Sequence, residues 1–229
     1  MIHDNLIHVQ NNINHAIENA NRPKGAASLI AVSKTKPVSM LMEAYEAGIR
    51  DFGENKVQEL CEKYEQMPKD IRWHMIGHLQ RNKVKYLIGK AVLIHSVDSL
   101  RLAEEINKEA QKQNTCVDIL IEVNAAEEDS KFGVSLQEAP SLVEAVAKLP
   151  CIRIKGLMTI APYTENPEEN RKYFRQLKEL SVDITRKNVD NVSMDILSMG
   201  MTGDYEVAIS EGATYVRVGT GIFGERNYG

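Results

Sequence analysis

What most constrains this chain is an alternation. After an opening helical pattern that puts Leu6, Val9, Ile13 and Ile17 on one face, short apolar runs trade places with helix-period stretches to the end of the sequence. The runs fall at residues 28–33, 50–53, 72–76, 92–96, 117–123, 152–158, 195–198 and 215–218. Read as strands, these make eight βα units. Eight such units close as a (β/α)8 TIM barrel, which has no exposed sheet edge, whereas an open doubly wound sheet usually has fewer strands. The 229 residues suit one barrel, and no linker rich in Pro, Gly or Ser, repeat or low-complexity tract divides them. An α/β fold with one domain over residues 1–229 is expected.

The helix boundaries carry their own signals. Ser135 and Glu138 have the spacing of a capping box ahead of Leu142, Val143 and Val146. Asn166, Pro167 and Glu169 supply an N-cap, a first-turn proline and an N3 acid ahead of Tyr173, Phe174 and Leu177. Gly48 and Gly212 stand where a helix end wants a left-handed residue, each just before a strand.

Composition narrows the function classes. With 43% hydrophobic and 26% charged residues the chain can bury a substantial core, so disorder does not explain its function. A net charge of −4 gives no reason to expect a nucleic acid or an anionic membrane as partner. Cys61, Cys116 and Cys151 are odd in number, widely spaced and without a C-x-x-C pair, which suits a reducing cytoplasm rather than a disulfide framework or zinc knuckle. The start of the chain has no basic region followed by an apolar run, and no stretch approaches the roughly 18 apolar residues of a membrane span.

Barrel chemistry sits at the C-terminal ends of the strands. The first run, ending Ala31-Val32-Ser33, leads into Lys34-Thr35-Lys36-Pro37 and sets a lysine at the barrel mouth. An amine shielded from water there has its charged form disfavoured and becomes a nucleophile for aldehydes, as a Schiff base requires; a lysine in water at a strand end would be inert. Lys34 and Lys36 share a face by period-two alternation, so periodicity does not choose between them. Pro37 biases Lys36 toward an extended or turn conformation, which leaves Lys34 as the inward side chain.

Two glycine-rich stretches follow the last two runs: Ser198-Met199-Gly200-Met201-Thr202-Gly203-Asp204 and Gly219-Thr220-Gly221-Ile222-Phe223-Gly224. Loops at these positions of a barrel form phosphate sites, because glycine lets backbone N–H groups approach an anion, and Thr202 and Thr220 add hydroxyls. Arg217, between Val216 and Val218, must pair with a carboxylate or point at a ligand. Asn55, in Phe52-Gly53-Glu54-Asn55, either hydrogen-bonds a ligand ring or caps the next helix. His74 and His78 lie four apart but on a strand that ends at Gly77, without the glutamate of H-E-x-x-H, so metal binding is not expected. The polar run Gln80, Arg81, Asn82, Lys83 and Lys85 reads as a solvated face; His3, His8, His15 and His95 find no partner in the sequence.

Together Ala31-Val32-Ser33-Lys34-Thr35-Lys36-Pro37, Phe52-Gly53-Glu54-Asn55, Trp73-His74-Met75-Ile76-Gly77-His78-Leu79-Gln80, Leu197-Ser198-Met199-Gly200-Met201 and Arg217-Val218-Gly219-Thr220 resemble the pyridoxal phosphate homeostasis protein family across nearly the whole chain. The resemblance implies a barrel of the alanine racemase N-terminal type and pyridoxal 5′-phosphate (PLP) as cofactor. It implies a Schiff base on Lys34, phosphate held by Thr202, Gly219 and Thr220, and Arg217 facing the pyridine nitrogen. Asn55, Ser198 and Met201 complete the expected contacts. Thr202 stands where the family often has serine, which preserves a hydroxyl.

An arginine does not readily give up its proton, so the ring nitrogen would stay largely unprotonated and PLP would be a weak electron sink. The sequence ends about one short helix after the eighth run, so the added domain that supplies a tyrosine in alanine racemases is not expected. Membership therefore implies a carrier or buffer of PLP (vitamin B6); the cysteines suit the cytoplasm, the lack of an expected added domain favours a monomer, and PLP-dependent apoenzymes are candidate partners. Two alternatives stand beside it. One is a PLP-dependent racemase or lyase of a small amino acid with His78 or Tyr163 as second base. The other is a barrel enzyme of a sugar phosphate in which Lys34 attacks a substrate carbonyl.

Overall fold

The structure, a computed structural model, describes residues 1–129 and 131–225. Its strands are β1 (Ser28–Val32), β2 (Asp51–Glu54), β3 (Arg72–Met75), β4 (Ala91–Val97), β5 (Val117–Glu122), β6 (Ile152–Met158), β7 (Val192–Met201) and β8 (Tyr215–Val218). They form a closed barrel in sequence order, every pair parallel, with β8 returning to β1. The helices are α1 (Ile2–Asn19), α2 (Val38–Glu46), α3 (Val57–Gln66), α4 (Leu100–Lys112), α5 (Ala139–Val146), α6 (Arg171–Arg186), α7 (Tyr205–Ser210) and α8 (Thr220–Phe223). A 3-10 helix, Arg81–Tyr86, serves as the crossover between β3 and β4; its exposed face carries the basic stretch, with Val84 buried beneath.

Each strand divides its side chains between two cores, as period-two alternation requires. Leu29, Ala31, Phe52, Trp73, Val216 and Val218 face outward into the layer shared with the helices. Leu93, Leu120 and Met158, joined by Ile196 and Tyr215, pack inside the barrel. That inner cluster is small, and buried polar side chains such as His74, His95 and Arg217 share the interior with it. On α1 the expected row Leu6, Val9, Ile13 and Ile17 is buried, contributing roughly 2 kcal/mol per side chain to its hold on the barrel.

The caps form as the spacing predicts. Ser135 N donates to Glu138 Oε2 and Glu138 N donates to Ser135 Oγ, both at 3.2 Å. Asn166 Oδ1 accepts from Glu168 N at 3.2 Å, and the proline opens a turn of 3-10 helix, Pro167–Asn170, that continues into α6. Gly48 and Gly212 take φ of +100° and +111° at the ends of α2 and α7. Among the described residues no helix is long and apolar enough to cross a membrane.

One strand departs from expectation. β7 runs from Val192 to Met201, so part of the glycine-rich stretch placed after it belongs to the strand itself. Ser198 pairs with Tyr215 but Met201 pairs with Arg217, so β7 carries one extra residue there. Gly200 makes the bulge possible: it has φ +92°, and a Cβ on it would lie 2.6 Å from Ala208 Cβ on α7.

Candidate functional site

Lys34 lies two residues beyond β1. With Leu29 and Ala31 facing outward, alternation carries Ile30 and Val32 inward, and the strand then gives way to a turn in which Lys34 is half-buried. The backbone bends sharply just after it: Thr35 has φ +63°, a left-handed conformation that a β-branched residue adopts at a cost of about 1–3 kcal/mol. Its N–H is caught by Glu59 Oε1 at 2.6 Å, and Lys36 N donates to Ser33 O at 3.1 Å. Lys36 turns elsewhere. Its Nζ donates to the carbonyls of Phe223, Gly224 and Glu225 at 3.2, 3.0 and 2.8 Å, tying β1's end to the chain after α8.

Behind Lys34 a buried ionic cluster holds the strand end. Ser33 Oγ donates to Glu54 Oε1 at 2.5 Å, while Lys63 Nζ on α3 donates to Ser33 O, Glu54 Oε1 and Glu59 Oε1, each at 2.7 Å. Glu54 is fully buried and Lys63 nearly so, and burial pushes the Glu54 carboxyl up to about 7 against the pull of the Lys63 ammonium. Sequence reading missed Lys63 and Glu59. A signal existed: Lys63 continues the buried row of Val57 and Leu60 on α3, where a lysine needs partners.

Asn55 does not cap α3. The cap position is Lys56, without a side-chain bond, and Asn55 Oδ1 is buried with no hydrogen-bond partner. Val32 pairs with Gly53, so Lys34 and Asn55 each follow the C-terminal end of one of two adjacent strands. Asn55 thus keeps a buried, unused acceptor next to the end of β2.

The loops after β7 and β8 meet each other. Thr220 Oγ1 donates to Thr202 Oγ1 at 3.2 Å and Gly221 N–H reaches the same oxygen at 3.4 Å; both threonines are exposed. Asp204 shapes this turn by accepting from Met201 N at 2.7 Å and from Asn170 Nδ2 at 2.8 Å. Met201 lies on the rim, its own N–H spent on that turn. Gly219 packs against β1, where a Cβ would come within 3.3 Å of Val32. Two hydroxyls and neighbouring amides thus gather at one edge of the mouth, the donor set an anion takes.

Arg217 meets neither a carboxylate nor solvent. It is 3% exposed; Nη1 donates to Ser198 Oγ at 2.6 Å and Nη2 to Thr159 O at 2.9 Å. Burial lowers its pKa to about 10, opposed by Asp204 and Glu122. Glu122 pairs in register with Met158, a barrel-interior residue, and so faces inward. Ser198 Oγ also bonds His95 Nδ1 at 2.8 Å. His95, which had no partner in the sequence, is therefore a buried polar link. His78 stacks on Phe132 with centroids 3.8 Å apart and sits 4.0 Å from Asp98, while Tyr163 is 95% exposed and does not enter the mouth. Among the described residues no group of three or more His, Cys, Asp or Glu is placed to hold a metal.

A closed parallel barrel with a lysine after its first strand and anion donors after its last two is a barrel of the alanine racemase N-terminal type. The alanine racemase N-terminal domain family matches residues 5–227. The pyridoxal phosphate homeostasis protein of Aquifex aeolicus is 50% identical over 226 residues, covering 98% of each chain, and that of Pseudomonas aeruginosa 39% identical over 229 residues, covering 100% of this chain and 97% of its own. The chain belongs to the pyridoxal phosphate homeostasis protein family. Among solved structures, PipY of Synechococcus elongatus with PLP bound superposes with a TM-score of 0.83 at 32% identity, covering 98% of this chain and 100% of that one. An alanine racemase of Clostridium difficile, at 16% identity and a TM-score of 0.77, shares the fold over 98% of this chain and 57% of its own.

Proposed function

We propose that this chain binds pyridoxal 5′-phosphate as a one-domain protein, holds it as a Schiff base on Lys34, and serves intracellular PLP (vitamin B6) homeostasis without evident catalytic turnover. The reading is supported by half-buried Lys34 following β1 and the donors of Thr202, Thr220 and Gly221 at the ends of β7 and β8, the C-terminal strand ends where parallel barrels build their sites. When bound, PLP supplies an aldehyde that condenses with an amine and a ring that withdraws electrons. Lys34 contributes the amine. Thr202, Gly219 and Thr220 hold the phosphate, Asn55 accepts from the ligand's polar edge, and Met201 covers the rim.

Arg217 faces the ring nitrogen. Even with its pKa lowered to about 10 it stays charged at neutral pH and can only donate. It leaves the ring nitrogen without a proton, which weakens the ring as an electron sink and favours a holder over a catalyst. Ser198 reaches the ligand only through Arg217, since its hydroxyl lies between Arg217 and His95. The relatives' name points the same way. The protein acts in the cytoplasm as a monomer, with PLP-dependent apoenzymes as its partners.

The test is the absorption spectrum of purified protein before and after borohydride. A yellow protein in which borohydride fixes PLP on Lys34, and a colourless Lys34→Ala variant, are expected. Full Schiff-base occupancy in Lys34→Ala would remove the assignment. Solvent deuterium exchange at Cα of amino acids, if it outpaced free PLP, would make the protein an enzyme instead.

A further inference from the structure

Inside the barrel five buried polar side chains form a single file. Arg217 Nη1 meets Ser198 Oγ at 2.6 Å, Ser198 Oγ meets His95 Nδ1 at 2.8 Å, His95 Nε2 meets His74 Nδ1 at 2.9 Å, and His74 Nε2 meets Asp51 Oδ1 at 2.9 Å. Asp51 also accepts from Arg72 Nε and Nη2 at 2.8 and 2.5 Å. Asp51 and Arg72 open β2 and β3, so the file runs from the N-terminal face of the barrel, where the Arg72 side chain is 54% exposed, to the mouth. His74 and His95 are 1% and 0% exposed.

The two ends of the file dictate its direction. Burial pushes the Asp51 carboxyl up, but the bonds from Arg72 and His74 outweigh it and hold the group at about 2, so Asp51 only accepts. His74 Nε2 must then carry a hydrogen. Burial disfavours the charged form of both imidazoles, so His74 Nδ1 is bare and accepts from His95 Nε2–H. His95 Nδ1 is bare in turn and accepts the Ser198 hydroxyl hydrogen. That leaves the Ser198 lone pairs for Arg217, which can only donate. A second proton on His74 would set its Nδ1–H against His95 Nε2–H, and one on His95 would turn the Ser198 hydroxyl from donor to acceptor, reversing that link.

We propose that Ser198, His95, His74 and Asp51 form a one-way hydrogen-bond relay, both imidazoles protonated at Nε2 only, that positions the Arg217 guanidinium for the ligand ring. Each link polarises the next, so the carboxylate at the far end strengthens Ser198 as the acceptor of Arg217. The groups facing the relay are few. Asp51 and Arg72 flank His74; the Tyr215 ring packs on both imidazoles, with centroids at 5.2 and 6.3 Å; Arg217 lies beyond His95; Glu122 and Asp204 act on Arg217. The tautomers follow from the protein alone, whereas the positioning role rests on the PLP reading above.

The first measurement is the ring nitrogen shifts of His74 and His95 in 15N-labelled protein from roughly pH 5 to 8, the range in which an ordinary histidine titrates. Both rings are expected to show a protonated Nε2 and a bare Nδ1 throughout. A protonated Nδ1, or titration of either ring in that range, would overturn the relay. The second is the pH midpoint of the PLP band in loaded protein. Loss of one link, in Ser198→Ala or His95→Phe, should move it by about half to one pH unit. His95→Gln, whose carbonyl accepts from Ser198 and whose amide donates to His74, should return it toward the wild-type midpoint. A space-filling role would instead favour Phe over Gln, and unchanged midpoints in every variant would refute the positioning role. A wild-type protein with no PLP band would sink the PLP reading and the positioning role with it, while the tautomers are still decided by the first measurement.

Discussion

Glu122 gives the sharpest test of electrostatics at the barrel mouth. It ends β5 with 6% of the residue exposed, and burial, reinforced by Asp98 and opposed by Arg217, raises its pKa from 4.5 to about 7. A carboxyl that binds its proton more tightly folded than unfolded favours the fold fully below the unfolded pKa. That contribution is lost as the pH rises through the folded one. Between those two values, linkage makes the fold about 2–3 kcal/mol less stable near pH 8 than near pH 5 through this group alone. Glu122→Gln keeps the shape and removes the titration. Urea unfolding of ligand-free protein across that range should give a curve flatter than wild type by the same amount, the variant gaining most at the alkaline end. Glu54, raised in the same direction, is present in both proteins and cancels in the difference. A difference that does not change with pH would refute burial as the origin of the shift. One that widens toward acid would mean that Arg217 holds Glu122 ionised.

Two further outcomes follow from the packing. Gly200→Ala forces a side chain onto φ +92° and into Ala208, so a loss of at least about 2 kcal/mol is expected, read as a melting temperature roughly 4–8 °C lower; a change under about 2 °C would mean the β7 bulge is not required. Lys63→Met strips the cation from Glu54, Glu59 and Ser33 O and should cost about 3 kcal/mol or more, part of it recovered when Glu54→Gln is added. Strict additivity of the two substitutions would show that the cluster is not coupled.

Lys34 and Lys36 mark how far one-dimensional reading reaches. Alternation gave them the same face, and only Pro37 distinguished them. The fold separates them by bringing the Phe223 carbonyl, 187 residues along the chain, to Lys36 Nζ at 3.2 Å. For Asn55 the sequence slightly favoured capping a helix over meeting a ligand, because both uses need only a short polar side chain at a strand end; the actual cap position is one residue later, at Lys56. Lys63 could have been found, as a charge on an apolar helix row. His95 could not, since its partner Ser198 lies 103 residues away.

What the sequence determined by itself was the repeat of strand and helix, the caps, and the polar residues that follow each strand. These depend on periodicity and on neighbours within a few positions, which linear order preserves. What only the tertiary structure decided was which polar groups share a space: the relay through the interior, the cluster behind Lys34, and the meeting of Thr202 with Thr220. The relay exists because the closed barrel turns the inward side chains of distant strands toward one axis, where each buried donor or acceptor must find its partner; the cluster forms where α3 covers β1 and β2, and the threonines meet where the ends of neighbouring β7 and β8 converge.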